Sequence, residues 1–261
     1  KNTIAPFVLR RLKKDVLRDL PDKIEENLVT NMTEEQQELY DANLKQLRQF
    51  LHGQNDREFR TSKIQILSGL TRLRQICCDP ALIYENYSGG ASKAEICMEL
   101  VENGADSGHK ILIFSQFTSM LDILAKNLKG KDIPFYMLTG STEKEERLKM
   151  TEAFNQNEVP VFLISLKAGG TGLNLTAADM VIHFDPWWNL AVQNQATDRA
   201  HRIGQKNVVN VYKLIAKDTI EEKIIKLQER KKDLADELLS GSGMSSIVLD
   251  REELMELLNQ R

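Results

Sequence analysis

The chain has 261 residues, of which 41% are hydrophobic and 28% are charged, and its formal net charge is −3. These values are typical of a globular protein that buries one substantial core and a smaller second one, which means one to two domains. A large basic excess is absent. This counts against a chain dominated by nucleic-acid binding, but it does not exclude a local basic track.

Residues that build disulfides, metal sites or membrane spans do not occur in the required patterns. The three cysteines include no C-x-x-C pair, and the four histidines show no metal-ligand spacing. No apolar run approaches the ~18–20 residues of a membrane span. The first residues lack an initiator methionine and the apolar core of a signal peptide. We therefore expect a fragment of a larger cytosolic or nuclear protein.

The first part of the chain is predicted to be mainly helical. A basic helix is expected over 7–21, followed by a strand over 24–32. Thr33 to Gln36 form a capping-box pattern that predicts a helix to about residue 51. A further helix is expected over 61–77. The glycines at the end of 87–90 indicate a linker.

After this linker the pattern changes to alternating strands and helices. Strands are predicted over 111–114, 134–138, 161–164, 180–184 and 208–215. Helices are predicted over 92–103, 119–128, 142–155, 191–202 and from 218 onward, and capping patterns mark residues 92–95, 142–145 and 218–221. This alternation predicts an α/β domain built around a mostly parallel sheet. The last helix carries one apolar stripe, which favours packing against another element of the same chain over a partner.

The loop after the strand over 161–164 contains three glycines within four residues. Glycine allows positive φ and a close approach of the backbone, so amide groups of this loop could face phosphate oxygens. On its own, a tight turn is the better explanation.

The predicted helix over 191–202 carries Gln195, Arg199 and Arg202 at intervals of four and three residues, which places them on one face. The planar guanidinium group suits the shared negative charge of a transferring phosphoryl group. The alternative is a surface salt bridge between Asp198 and Arg202.

The loop after the strand over 180–184 contains Trp187 and Trp188. Tryptophan is usually mostly buried, but an aromatic ring beside a basic groove can also contact nucleic acid. We expect one ring of each kind, with Trp188 the better candidate for exposure.

Together these segments resemble the C-terminal RecA-like lobe of Swi/Snf-type DNA translocase ATPases, a branch of the superfamily 2 helicase-related proteins. The most specific segment is QATDRAHRIGQ at 195–205, which resembles motif VI of that family. Five further segments resemble motif V, motif IV, the motif that follows it, and the family's inter-lobe and protrusion segments; they are SLKAGGTGLNL at 165–175, ILIFSQF at 111–117, LTGST at 138–142 with Arg147, and LRRLKKDV at 9–16 with LTRLRQICCDP at 70–80. The resemblance extends to about residue 239.

Two departures from the family pattern are visible. Leu190 stands where the family commonly has proline after Trp-Asn, at a position where a helix start tolerates the loss. No G-x-x-x-x-G-K-[ST] segment and no Asp-Glu-x-His box occurs anywhere in the 261 residues. The resemblance therefore implies a partial ATPase site, and the lone chain is expected to be inactive.

The resemblance implies ATP, with Mg²⁺ held mainly by the first RecA-like lobe. The catalytic residues would be Arg199 and Arg202 as arginine fingers and Gln195, which either positions the attacking water or links nucleotide to DNA. The remaining implied site residues are Gly170, Thr171 and Gly172 at the nucleotide, and Ser115, Gln116, Lys167, Asn174 and Trp188 at DNA.

The implied domains are an inter-lobe segment with the first strand over 1–32, a helical protrusion and linker over 33–90, the RecA-like lobe over 91–217, a brace helix over 218–240 and a tail over 241–261. The implied partners are double-stranded DNA, the first lobe of the same protein and protein–DNA complexes as remodelling targets, with no membrane. The compartment would be the cytoplasm of a bacterium, the favoured source, or the nucleus of a eukaryote. The alternatives are a lobe of an RNA-directed helicase and a non-catalytic nucleic-acid-binding module.

Overall fold

The computed structural model describes residues 20–169, 172–238 and 258. It contains one sheet of six strands in the order β1-β6-β5-β2-β4-β3, and every neighbouring pair is parallel. Helices flank the sheet, so the predicted α/β fold with a mostly parallel sheet is confirmed. Residues 7–19 of the predicted basic helix lie outside the described residues, and residues 20 and 21 are not helical; of the tail over 241–261 only residue 258 is described.

The described elements follow the predicted order. The strands are β1 Lys23–Thr30, β2 Ile111–Ser115, β3 Phe135–Leu138, β4 Val161–Ser165, β5 Met180–His183 and β6 Val209–Ala216. The helices are α1 Glu34–His52, α2 Asp56–Thr61, α3 Lys63–Cys78, α4 Ser92–Asp106, α5 Thr118–Gly130, α6 Lys144–Gln156, α7 Leu166–Gly169, α8 Leu190–Thr197 and α9 Ile220–Leu238. The short helices α2 and α7 were not predicted.

The sheet separates two hydrophobic cores because side chains alternate along each strand. In β2, Ile111 and Ile113 face the core under α4 and α5, whereas Leu112 and Phe114 face the core that includes Phe154 of α6. Every residue of β2, β4 and β5 is buried. Continuous apolar runs are expected in strands that are covered on both faces.

A third core joins the helical block α1–α3 to the start of α9. It contains Leu47, Leu70 and Leu73 from the block together with Ile220 and Ile224 from α9. Tyr40 adds a polar link, since its hydroxyl accepts a hydrogen bond from the Ile220 backbone amide at 2.8 Å. The last helix therefore packs intramolecularly, as its apolar stripe predicts.

A buried ion pair connects α4 to α9. The Lys93 ammonium donates to both carboxylate oxygens of Glu221 at 2.8 and 2.9 Å, and neither side chain reaches solvent. Burial disfavours the charge on Lys93, but the Glu221 carboxylate outweighs it and raises the Lys93 pKa above its ordinary value. Glu221 also accepts from the Ala216 amide, so the pair fixes the turn between β6 and α9.

The predicted helix caps are right at one position and wrong at three. Thr33 accepts from the Gln36 amide, but the Gln36 side chain is buried and donates to the Ile76 carbonyl instead of returning to the cap. The pattern at Ser92 gives no capping bond, because Ser92 is already the first helical residue.

The other two capping predictions fail for similar local reasons. Thr142 accepts from the Thr139 amide within the preceding turn, and α6 starts without a side-chain cap. Asp218 has a positive φ of 56°, so Thr219 takes the capping position and accepts from the Glu221 amide.

Candidate functional site

The carboxyl ends of β4, β2 and β5 lie side by side at one edge of the sheet. There the Ser115 hydroxyl donates to Asp185 Oδ1 at 2.5 Å, and the Gln116 amide donates to the same carboxylate. Asp185 is fully buried in this arrangement, and burial raises the pKa of its carboxyl while Arg74 opposes that shift. This edge is where parallel α/β sheets bind ligands.

Ser115 lies at this edge, where its side chain is buried and its hydroxyl bonds to Asp185. In this structure Ser115 holds the loop after β2 against the loop after β5. Its role as a DNA contact stays a prediction.

Arg74 is the main residue of this region that sequence reasoning missed. It comes from the end of α3 and is 2% exposed. Its guanidinium donates to Gln116 Oε1 at 2.9 Å and to the Pro186 carbonyl at 2.5 Å, and it lies 3.5 Å from Asp185 Oδ2. The available signal was an arginine among apolar residues of a helix, next to the Cys-Cys-Asp-Pro sequence.

The two tryptophans differ from their predicted environments. Both are half-buried, and they lie on different sides: Trp187 packs against the core around Phe114, whereas Trp188 packs against the core of the helical block. The expectation of one buried and one exposed ring is therefore not met, since both rings fall in the same half-buried range. One face of Trp188 is covered by the Arg74 guanidinium, 5.6 Å from the ring centroid.

The glycine-rich loop follows β4 through the short helix α7. Lys167 in α7 is exposed, and so are Gly172 and Asn174 further along. Gly170 and Thr171 lie outside the described residues. The backbone of this loop continues directly into contacts with the arginine-bearing segment.

That segment is a turn and not the continuation of a helix. Helix α8 ends at Thr197, where the prediction extended it to residue 202. The Arg199 carbonyl leaves the helical pattern because it accepts from the Leu175 amide at 3.0 Å. Gln195 is exposed in α8, while Arg199 and Arg202 lie in the turn, so the predicted common helical face does not exist.

The turn is nevertheless held firmly against the glycine-rich loop. Arg202 Nη1 donates to the Leu173 carbonyl at 3.2 Å. Gln205 Nε2 donates to the carbonyls of Ala178 and Ala200, and its Oε1 accepts from the two backbone amides that follow. Gly204 has a φ of +102°, which other residues rarely adopt. The sequence His-Arg-Ile-Gly-Gln thus encodes a defined turn.

Arg199 and Arg202 lie close enough for their charges to repel. Burial lowers the pKa of the Arg199 guanidinium, and the neighbouring Arg202 charge lowers it further, with Asp198 opposing. Two guanidinium groups at the edge of a buried sheet suit an anion of high charge density such as a phosphate. The residues present therefore fit a phosphoryl group.

The same residues do not form a cation site. Mg²⁺ binds carboxylate, water and phosphate oxygens. Across residues 20–169 and 172–238, no group of three or more His, Cys, Asp or Glu side chains is placed to hold a metal ion.

Within the described part of the chain, no helix has the length and apolar character needed to cross a membrane.

Comparison with protein families identifies the class of this lobe. The model of the helicase conserved C-terminal domain matches residues 92–204, which cover the sheet edge, the glycine-rich loop and the arginine turn. The model of the SNF2-related domain matches residues 1–82, which include the helical block. The fold is that of a helicase C-terminal lobe of the RecA-like type.

Individual relatives narrow the class to one family. The putative ATP-dependent helicase/translocase YwqA of Bacillus subtilis is 42% identical over 97% of this chain and 28% of its own length. The nuclear protein STH1/NPS1 of Saccharomyces cerevisiae is 39% identical over 88% of this chain and 18% of its own length. The chain spans about a quarter of the length of the curated bacterial relatives it matches.

Solved structures give the same result. The SWI2/SNF2 ATPase C-terminal domain of Sulfolobus solfataricus is 35% identical with a TM-score of 0.73 and matches 91% of this chain and 99% of its own. The ATPase core of that species in complex with double-stranded DNA is 38% identical, has a TM-score of 0.75, and covers 99% of this chain and 55% of its own. The chain belongs to the SNF2 family of ATP-dependent helicase-related proteins, as the sequence resemblance predicts.

Proposed function

We propose that this chain is the C-terminal motor lobe of an ATP-dependent double-stranded DNA translocase of the remodeller type, and that it is incomplete as an ATPase without a first lobe. The observation that supports this most directly is the packing of the arginine turn on the glycine-rich loop at the carboxyl edge of the sheet. This arrangement brings two guanidinium groups to one edge with the loop that follows β4.

Arg199 and Arg202 are proposed to reach the γ-phosphate of ATP when the cleft between the two lobes closes. A guanidinium that contacts the transferring phosphoryl group stabilises charge in the transition state, which is worth ~10³ to 10⁵ in rate in related systems. The Arg202 bond to the Leu173 carbonyl leaves other donors of its fork for the phosphate.

Gln195 and the glycine-rich loop have supporting roles in this proposal. Gln195 is exposed one turn before the arginine turn, where it either positions the attacking water or links nucleotide to DNA. Gly172 is exposed and, with Gly170 and Thr171, would lie beside the nucleotide. Because the Leu175 amide donates to the Arg199 carbonyl, a shift of this loop would also move Arg199.

DNA is proposed to run along the same edge of the sheet. Lys167 and Asn174 are exposed and offer a charge and an amide to backbone phosphates, while Gln116 and Trp188 are half-buried at the ends of the neighbouring loops. Contacts of this kind carry no base information, so tracking would be independent of sequence. The solved relative bound to double-stranded DNA supports duplex DNA as the partner.

Remodelling targets and compartment follow only from the relatives. Relatives include bacterial helicases, a yeast nuclear protein and a TATA-binding protein-associated factor of Aspergillus fumigatus. We propose protein–DNA complexes as targets, and a bacterial cytoplasm or a eukaryotic nucleus as the compartment.

The proposed substrate is tested by the nucleic acid that stimulates ATP turnover in the protein that carries both lobes. Duplex DNA, duplex RNA and single-stranded DNA of equal length are compared at one salt concentration. The proposal requires duplex DNA to stimulate most strongly, with no dependence on base sequence. Preferential stimulation by RNA would favour the RNA-directed alternative instead.

A further inference from the structure

Arg74 joins the helical block to both loops at the carboxyl edge of the sheet. The block is α1–α3, and Arg74 lies near the end of α3. Its guanidinium contacts Gln116 in the loop after β2 and both Asp185 and Pro186 in the loop after β5. The planar fork of arginine makes three such contacts in fixed directions, which the single ammonium of lysine cannot do.

Two aromatic rings complete the environment of the guanidinium. Phe117, from the loop after β2, has its ring centroid 5.7 Å from the Arg74 Cζ, and Trp188, from the loop after β5, lies at 5.6 Å. The loop after β2 thus supplies one polar partner and one ring to this side chain, and the loop after β5 supplies two polar partners and one ring. The relative position of the loops is therefore set by a residue that belongs to neither.

The buried Arg74 guanidinium costs more free energy than an apolar contact between a helix and a sheet would cost. Arg74 is 2% exposed, and its Nε and the neighbouring Gln116 Nε2 are buried without a hydrogen-bond partner among the described residues. Buried charges and unpaired donors cost free energy that an apolar contact would not. A positional role explains the presence of such a group better than stabilisation does.

We propose that Arg74 is a positioning residue that aligns the loops after β2 and β5, so that the helical block sets the geometry of Gln116 and Trp188 for DNA. This inference rests on the proposed function, because it takes these two residues as DNA contacts. Loss of the fork would let the loops separate and weaken DNA binding without removing any DNA-contacting side chain.

The chain carries its own reporter for the test. Its only two tryptophans are Trp187 and Trp188, so its intrinsic tryptophan emission comes entirely from the loop after β5. Relatives of almost the same extent have been solved as separate chains, which supports working with the 261-residue chain. Emission wavelength, acrylamide quenching, duplex-DNA affinity and thermal unfolding are measured on the same samples.

Arg74→Lys is compared with Arg72→Lys. Arg72 precedes Arg74 by two residues on α3, is exposed, and has its guanidinium 5.5 Å from the Tyr84 ring. Arg74→Lys is expected to shift the emission, increase quenching, and weaken DNA binding roughly tenfold, the effect of losing about one good contact. Arg72→Lys is expected to leave emission and quenching unchanged and DNA affinity within about twofold.

If Arg74→Lys does not fold, Phe117→Leu removes one ring from the guanidinium and is expected to change emission and affinity in the same direction. Unchanged emission in the folded variant, or changed emission with wild-type DNA affinity, overturns the inference. A wild-type chain that binds no duplex DNA contradicts the proposed function itself, and the inference falls with it. If the wild-type chain binds duplex DNA and the folded Arg74→Lys variant binds it equally well, the inference alone is contradicted.

Discussion

At the scale of single residues, the pair Lys93–Glu221 shows that a lysine expected on a helix surface can be buried and can connect two helices through an ion pair. Lys93 follows Ser92 at the start of α4, where sequence alone gives no reason to expect burial. The fold places the positive charge opposite Glu221 at the start of α9, and the Phe184 ring lies 5.1 Å away. Each charge is tolerated only because the other is present.

Removing one partner of this pair should destabilise the chain strongly. Lys93→Met is expected to lower the free energy of unfolding by about 3–5 kcal/mol, because it leaves Glu221 buried and unpaired. The double variant Lys93→Met/Glu221→Gln should lose much less, since glutamine keeps an acceptor for the Ala216 amide. Urea unfolding measures both.

The matched control is the exposed pair of Lys131 with Glu102. Lys131→Met should change the free energy of unfolding by less than about 1 kcal/mol. A Lys93→Met variant that is no less stable than Lys131→Met would contradict this explanation.

His183 makes the stability depend on pH. Its Nε2 lies 2.8 Å from Thr197 Oγ1 in the core, and burial, helped by the charge of Lys213, lowers its pKa from 6.5 to about 3. Between pH 6.5 and 3, His183 binds a proton in the unfolded chain but not in the folded chain. The part of the unfolding free energy that depends on His183 is therefore complete above pH 6.5. It is lost as the pH falls towards 3, by up to about 1.4 kcal/mol per pH unit.

His183→Gln removes this titration and keeps a partner for Thr197. Its unfolding free energy should fall less steeply than that of the wild type between pH 6.5 and 4, while His52→Gln, at an exposed position, should follow the wild type. Chemical denaturation at a series of pH values gives the slopes. Parallel slopes for His183→Gln and the wild type would rule out this origin of acid sensitivity.

At the scale of elements, the sequence pattern predicts the strands well and the helix ends poorly. β2, β4 and β5 are buried throughout and mostly apolar, and they were placed within one residue at each end. Helix ends depend on which hydrogen-bond partners the terminal residues find. The Arg199 carbonyl accepts from the Leu175 amide, and the Gln36 side chain donates to the Ile76 carbonyl. These partners are distant in sequence, so no pattern of neighbouring residues could reveal them.

Caps offer a direct test of this difference. Thr33→Ala should lower the free energy of unfolding by about 1 kcal/mol, because it removes the acceptor for the Gln36 amide. Ser92→Ala should change it by less than about 0.5 kcal/mol, because Ser92 makes no capping bond. Equal losses in the two variants, measured by urea unfolding, would contradict the assignment of the caps.

At the scale of the whole molecule, the sequence predicted the fold class, the family and most of the residues at the sheet edge. The alternation of strands and helices and the segment QATDRAHRIGQ carried these predictions. The third core could not be predicted, because it joins α1 and α3 to α9 across more than half of the chain. Arg74 and Asp185 meet for the same reason: 111 residues separate them, and only the packed fold brings them together.

The measurement that tests the central claim most directly is ATP turnover with and without duplex DNA. It compares the lone chain, the protein that carries the first lobe, and that protein with Arg199→Ala, Arg202→Ala or the control Arg72→Ala at an exposed position of α3. Thermal unfolding of each variant confirms that the fold is retained.

We expect the lone chain to be inert and the complete protein to be stimulated by DNA. Each finger substitution should reduce turnover by ~10³ to 10⁵, because it removes positive charge from the transition state, while Arg72→Ala should leave turnover near the wild-type level. Hydrolysis by the lone chain, or a complete protein that responds neither to DNA nor to the loss of Arg199 and Arg202, would contradict the assignment of this chain as half of a DNA-driven motor.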